Sequence, residues 1–277
     1  MGKKKSLQEL TLKNNFMFGA VMLDPKNCKG VLERSLGIKI ERVEVSREKS
    51  IVYNPEYKGV RLDVYAKDEN NTHYDVEMQV LQKAAIKKRA RYYHGQLDME
   101  SLLTGLPYAD LPDTYVIFIC DFDPFGQKKY RYTQKKICEE SSEALMEDGS
   151  HTIFLSTKGI NTEEVPAELV HFLKFLAAPL AESEQDFEDD FIRQLQASVK
   201  EVKESREMGA RYMTFGELLD EEKIEAREEG RLLKLKEQVE RKLAKGWSLE
   251  KIAEVFEEDM EDIQEAMKVQ EREPREW

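Results

Sequence analysis

The stretch from Arg61 to Gln79, RLDVYAKDENNTHYDVEMQ, constrains the fold of this chain more than any other. Side chains alternate across a strand with a period of two. In VRLDVYA this puts Val60, Leu62, Val64 and Ala66 on one face, and Arg61, Asp63, Tyr65 and Lys67 on the other. In THYDVEMQV, Tyr74, Val76, Met78 and Val80 form the apolar set, opposite Asp75, Glu77 and Gln79. The segment from Asp68 to Thr72 between them is rich in turn formers, which predicts an antiparallel hairpin. If Lys67 pairs with His73, Asp63 lies opposite Glu77, with Cβ atoms roughly 5 Å apart. A slip of one residue would set Asp63 against Val76 and send the acid to the wrong face.

Two carboxylates that close repel by about 4 kcal/mol for unit charges about 4 Å apart at an effective dielectric of about 20. A divalent cation offsets that repulsion directly. Mg²⁺ in particular binds through a few carboxylate oxygens, waters and substrate phosphate rather than a closed protein cage. The plainer reading of the same alternation is a solvated hairpin face.

Four blocks carry a wider pattern: LTLKNNFMFGAVMLDPKNCKGVLERSLGIKIERVEV, RLDVYAKDENNTHYDVEMQV, KKRARYYHGQL and TYVIFICDFDPFG. In this order they resemble the PD-(D/E)XK nuclease core, in the D…ExQ form of the Rpn type of recombination-promoting nuclease and transposase. The resemblance covers roughly residues 10 to 160. It implies an α/β fold with a restriction-endonuclease-like core, α-β-β-β-α-β, and a metal-dependent DNA endonuclease. On that reading Asp63, Glu77 and the backbone carbonyl of Met78 hold Mg²⁺, with Mn²⁺ or Ca²⁺ as alternatives, and Gln79 orients the attacking water. The resemblance also implies an acid on the first helical segment that approaches the metal, which would be Glu33; a surface helix Glu is the other reading. Asp75 shares the face of Glu77, as a further ligand or an acceptor behind it.

Glutamine at 79 stands where lysine is commoner, so it can orient water by hydrogen bonds but adds no positive charge. Arg61 or Arg89 can supply that charge toward DNA phosphate, or each can pair with a neighbouring acid. KRARYYHGQL interleaves basic and aromatic residues, so Tyr92 is a candidate DNA contact and Tyr93 the core-facing ring.

The formal charge of −12 opposes nucleic-acid binding until its distribution is considered. Residues 1–135 hold 23 Lys and Arg against 18 Asp and Glu, a balance of +5, while residues 136–277 hold 20 against 37, a balance of −17. A basic DNA-facing side is therefore permitted in the first half. Cys28, Cys120 and Cys138 form no C-x-x-C pair, and no apolar run reaches the ~20 residues of a spanning helix. Lys3 to Lys5 have no apolar stretch behind them, so no secretory signal is read there. The expectation is a cytoplasmic protein with no membrane partner.

Along the chain the patterns predict two helical pieces from Leu10 to Leu36, broken at Pro25 and ending at Gly37. A strand follows within Ile38–Tyr53, then the hairpin, a helix from about Lys83 to Thr104, and strands at Thr114–Cys120 and from His151. Composition turns acidic and helical past Gly159, giving expected domains at 1–160 and 161–277. Glu182 to Lys245 reads as a solvated helix or partner-binding arm. Ser248 is expected to cap a helix with Ile252, Ala253 and Phe256 on one face, serving packing or homo-oligomerisation. The alternative to a nuclease is an inactive nuclease fold acting as an interaction module through this helical region.

Overall fold

The computed structural model describes residues 5–51, 60–82, 85–256 and 258–268. The chain divides into two compact units, Met1–Gly209 and Ala210–Trp277.

The first unit opens with two capped helices. The Asn14 side chain accepts from the backbone N–H groups of Phe16 and Met17, which starts α1 (Asn15–Met22). Asp24 caps α2 (Pro25–Leu36) through the Lys26 N–H, with Pro25 at the first turn where its missing donor costs nothing. Gly37, at φ 73°, closes α2 in the left-handed conformation by donating to the Glu33 carbonyl. Every residue of α1 from Phe16 to Met22 is buried.

These helices meet a mixed sheet. Its strands are β1 (Val43–Ile51), β2 (Val60–Asp68), β3 (His73–Gln79), β4 (Thr114–Cys120), β5 (Arg131–Thr133) and β8 (Ser150–Ser156). A separate hairpin, β6 (Ile137–Cys138) with β7 (Ser141–Leu145), precedes β8. β1, β2 and β3 are antiparallel; β3, β4 and β8 run parallel; β5 returns antiparallel beside β8. Parallel β3 and β4 require a crossover, which α3 (Ile86–Ser101) supplies. The expected order α-β-β-β-α-β is thus present, and β5 to β7 are additions that the patterns did not announce.

The hairpin pairs in the anticipated register, Lys67 with His73 through Val64 with Val76. Its turn is fixed by Asp68, whose carboxylate accepts from the N–H groups of Asn70 and Thr72 and from the Tyr74 hydroxyl. β3 is buried along its whole length. Flanked by β2 and β4 and covered by α3, it has no solvated face, which overturns the plainer reading of its alternation. Ala90, Tyr93 and Leu97 of α3 pack with Val116, Phe118 and Cys120 on one face of β4.

The first unit does not stop near residue 160. After α4 (Ala167–Ala177) and the short α5 (Leu180–Ser183), α6 (Asp190–Glu204) packs against α1 and α2. Phe191, Ile192 and Leu195 form its buried stripe, and a Cβ at Gly30 would sit 2.1 Å from the Phe191 ring. Arg34 lies over that ring at 3.9 Å and pairs with Asp189 at 3.4 Å. α6 was expected to belong to a solvated arm because its apolar residues are sparse; three at helical spacing are enough to join it to the core.

α7 (Arg206–Leu243) begins at the end of the first unit and continues into the second. There Leu232, Leu235 and Val239 share a small core with Ile252 of α8 (Leu249–Phe256) and with Ile263 and Ala266 of α9 (Met260–Lys268). Ser248 accepts from the Lys251 N–H, and Ala253 and Phe256 pack beside Ile252, as the spacing predicted. No described helix is long and apolar enough to cross a membrane.

Candidate active site

The last pair in the β2–β3 ladder is Val64 with Val76. Beyond it, carboxylates take over the bonding between the strands. The Asp63 N–H donates to Glu77 Oε1 at 2.9 Å, and the Met78 N–H donates to Asp63 Oδ2 at 3.1 Å. Each acid thus reaches across to the backbone of the other strand, and the two side chains that the register argument paired are brought together. The Gln79 carbonyl accepts from Asp121 N on the β4 side. Because successive carbonyls alternate along a strand, that of Met78 turns to the side of Asp63.

Arg89 of α3 brings a cation to these acids. It donates Nη2 to Glu77 Oε2 at 2.6 Å, Nη1 to Gln79 Oε1 at 3.1 Å and Nε to the Tyr93 hydroxyl at 2.7 Å. Its side chain is only 14% exposed. Burial works against its charge, but Glu77, Tyr93 and Asp63 together raise its pKa. Tyr93 is itself held protonated, by burial first and then by Glu77.

Asp75 lies beneath, with no solvent exposure and no hydrogen-bond partner on either oxygen. Burial, then the charges of Glu77 and Asp63, push its carboxyl well above the usual carboxylate range, while Arg89 pulls the other way. A bond between Asp75 and Glu77 exists only when a proton sits on one of them. Asp63, Glu77 and Asp75 thus gather three carboxyl groups in one place, with the Arg89 guanidinium on Glu77. Among the described residues no three His, Cys, Asp or Glu form a ready-made metal cage. A hard cation that keeps its waters needs only one or two carboxylates, and the unpartnered Asp75 beside Asp63 and Glu77 fits such an ion.

Glu33 turns its carboxylate to the loop after its own helix, accepting from the Ile40 N–H at 3.1 Å and lying 3.9 Å from Lys39 Nζ. Its described contacts lie there and not with Asp63 and Glu77, because its position in the last turn of α2 places the carboxylate over the following chain. The Arg61 side chain lies outside the described residues. Arg89 is paired inward, the second of its two readings. Tyr92 is 38% exposed on α3, while Tyr93 is buried.

Sequence reasoning passed over Asp121, directly after β4. Its oxygens accept from Lys13 Nζ at 3.1 Å, Lys158 Nζ at 2.7 Å and Thr157 Oγ1 at 2.7 Å. Burial opposes its ionisation, but Lys158, Thr157 and Lys13 outweigh it and lower its pKa. Its backbone bond to Gln79 places two ammonium groups at the carboxyl ends of β3, β4 and β8. The signal was available: an acid immediately following a continuous apolar strand marks the edge where parallel strands present loops.

No curated protein and no solved structure gave a significant match to this chain. A family model described as PD-(D/E)XK nuclease family transposase matches residues 29–229, a span that takes in the hairpin, α3 and all the parallel strands. With that match over most of its length, the chain belongs to the PD-(D/E)XK nuclease family transposases.

Proposed function

We propose that this protein is a metal-dependent DNA endonuclease that hydrolyses phosphodiester bonds at the β2–β3 opening. The observation that carries the reading is the gathering of three carboxyl groups at this end of the hairpin: Asp63 and Glu77, each bonded to the backbone of the other's strand, and the buried Asp75, whose oxygens have no hydrogen-bond partner. Asp63, Glu77 and the Met78 carbonyl would hold Mg²⁺, with Asp75 behind them. When bound, the ion supplies Lewis-acid polarisation of the scissile phosphate.

The chain's own groups do the rest. Arg89 can only donate, so its bond to Gln79 fixes the amide with Oε1 inward and leaves the Nε2 hydrogens to hold a water or a phosphate oxygen. Arg89 stands beside Gln79 with a positive charge in the place where a lysine motif would carry its own, ready to meet charge that develops on phosphate. Lys13 and Lys158 give the adjacent rim a cationic edge for the DNA backbone.

The test is incubation of purified protein with supercoiled plasmid, with and without Mg²⁺, beside Asp63→Ala from the same preparation. Nicking that requires both Mg²⁺ and Asp63 is expected. Equal nicking by both proteins would assign the activity to a contaminant, and the family fold would then serve as an interaction module.

A further inference from the structure

A cleft of about 520 Å³ opens on a different flank of α3 from the acid site. That volume lies within the roughly 300–1,000 Å³ range of small-molecule sites. Lys87, Arg91, His94, Gly95 and Asp98 line it from α3 at spacings of three and four, whereas Arg89 and Tyr93 turn to Glu77. Opposite them stand an apolar wall, including Leu111, Phe125 and Phe154, and the threonines Thr114 of β4 and Thr152 of β8.

Charge here runs opposite to that of the acid site. Lys87 and Arg91 sit one turn apart near the start of α3, a helix end with no acidic residue in its first turn and no side-chain cap. Like charges at that spacing repel, and the helix dipole disfavours cations there. Among the described residues no carboxylate pairs with either of them; Lys87 sets its ammonium over the Phe125 ring at 4.3 Å. Of the acids in the cleft, Asp148 is bound to Lys136 at 2.6 Å, and Asp98 makes no described ion pair with Lys87 or Arg91. At the floor, His94 bridges two hydroxyls, Nδ1 to Thr114 Oγ1 and Nε2 to Thr152 Oγ1, each at 2.9 Å. A neutral imidazole accepts from one hydroxyl and donates to the other. The hydroxyl that accepts keeps its own hydrogen for a further partner.

We propose that this cleft binds a mononucleotide, its phosphate held by Lys87 and Arg91 and its ring lodged against the Leu111, Phe125 and Phe154 wall over the His94 floor. Two cations one turn apart match a phosphate monoester, the apolar wall matches a planar ring, and the hydroxyl floor supplies polar contacts for ring or sugar. The same chemistry is offered by a free nucleotide and by the terminal nucleotide of a single strand.

Calorimetry on the full chain in EDTA separates these sources, using dAMP, deoxyadenosine, inorganic phosphate and a 5′-phosphorylated deoxyadenosine trinucleotide as probes. Saturable 1:1 binding of dAMP is expected, at least tenfold tighter than deoxyadenosine or phosphate alone. A trinucleotide that binds more tightly than dAMP marks a strand end as the source, and the reverse marks the free nucleotide. Gly95→Phe should weaken binding at least tenfold by filling the cleft, since a Cβ there meets nothing within 4 Å. Lys87→Ser with Arg91→Ser should do the same by removing the phosphate contacts. Asp63→Ala should leave dAMP affinity unchanged, which keeps this site distinct from the nuclease reading. Absence of saturable binding by dAMP and the trinucleotide, indifference to both cleft variants, or loss in Asp63→Ala would overturn the proposal.

Discussion

At the scale of single residues, the site rests on Arg89, which holds Glu77, Gln79 and Tyr93 at once. A guanidinium on Glu77 neutralises the charge that a metal would otherwise neutralise, so the two compete for the same carboxylate. Arg89→Met should destabilise the metal-free protein by about 3 kcal/mol, the order found when one partner of a buried pair is removed. Mg²⁺ should then raise the melting temperature of the variant more than that of wild type. Equal thermal shifts would show that Arg89 and the ion do not compete. Gln79 can be tested by its chemistry. Gln79→Lys restores a cation where the commoner motif has one and should keep Mg²⁺-dependent nicking. Gln79→Leu cannot hydrogen-bond water and should lose roughly 10²-fold, the usual cost of removing one positioned polar group. A leucine variant as active as wild type would remove Gln79 from the mechanism. The meeting of Asp63 with Glu77 is legible in sequence because period two and hairpin register are local rules. Arg89 was named, but not its partners: which way a helical arginine turns depends on where α3 lies over the sheet, and no spacing within the helix states that.

At the scale of elements, α3 faces two ways. One flank gives Arg89 and Tyr93 to the acid site, and the other gives His94 to the cleft floor. His94 is buried between two threonine hydroxyls, and desolvation, with Lys136 and His151 adding to it, lowers its pKa to about 4. The unfolded histidine titrates near 6.5, so between about pH 6.5 and 4 the unfolded chain binds the extra proton. Stability is therefore full above pH 6.5 and falls as pH drops toward 4, by about 3 kcal/mol from this group at 1.36 kcal/mol per unit. Urea unfolding at pH 7 and pH 4.5 should show wild type losing more than His94→Gln, which cannot be protonated. Equal losses would mean that His94 is not held neutral. The reading of elements failed where pattern and environment part. β4 has the ends its sequence predicts because Thr114 followed by six apolar residues, YVIFIC, admits little else. β3 alternates like a half-exposed strand, yet both its faces are covered, since α3 lies over the polar side. The hairpin of β6 and β7, with Ile137 and Leu145 exposed, carries no apolar face to announce it.

At the scale of the whole molecule, composition misplaced the boundary between units. The drop to acidic sequence past Gly159 suggested a break there, but charge describes what faces water and not what packs. Phe191 approaches α2 closely enough that only glycine fits at position 30, and Asn27 of α2 bonds to Ser198 and Gln194 of α6. A chain cut after Gly159 would expose this surface of α1 and α2. Burying an aromatic ring and two aliphatic side chains contributes roughly 1.5–3 kcal/mol each, and a domain has only about 5–15 kcal/mol in all. The fragment 1–159 should therefore fail to unfold cooperatively, whereas 1–209, which ends where the first compact unit ends, should unfold cooperatively. Since Asp63, Glu77, Gln79 and Arg89 all lie in the first unit, 1–209 should also retain Mg²⁺-dependent plasmid nicking within about tenfold of the full chain, an allowance of about 1.4 kcal/mol in the barrier. Circular dichroism melts and plasmid assays on the two fragments check both statements. A folded 1–209 without nicking would place an essential group in the helices beyond Gly209, and cooperative unfolding of 1–159 would show that α6 lies on a core already complete without it.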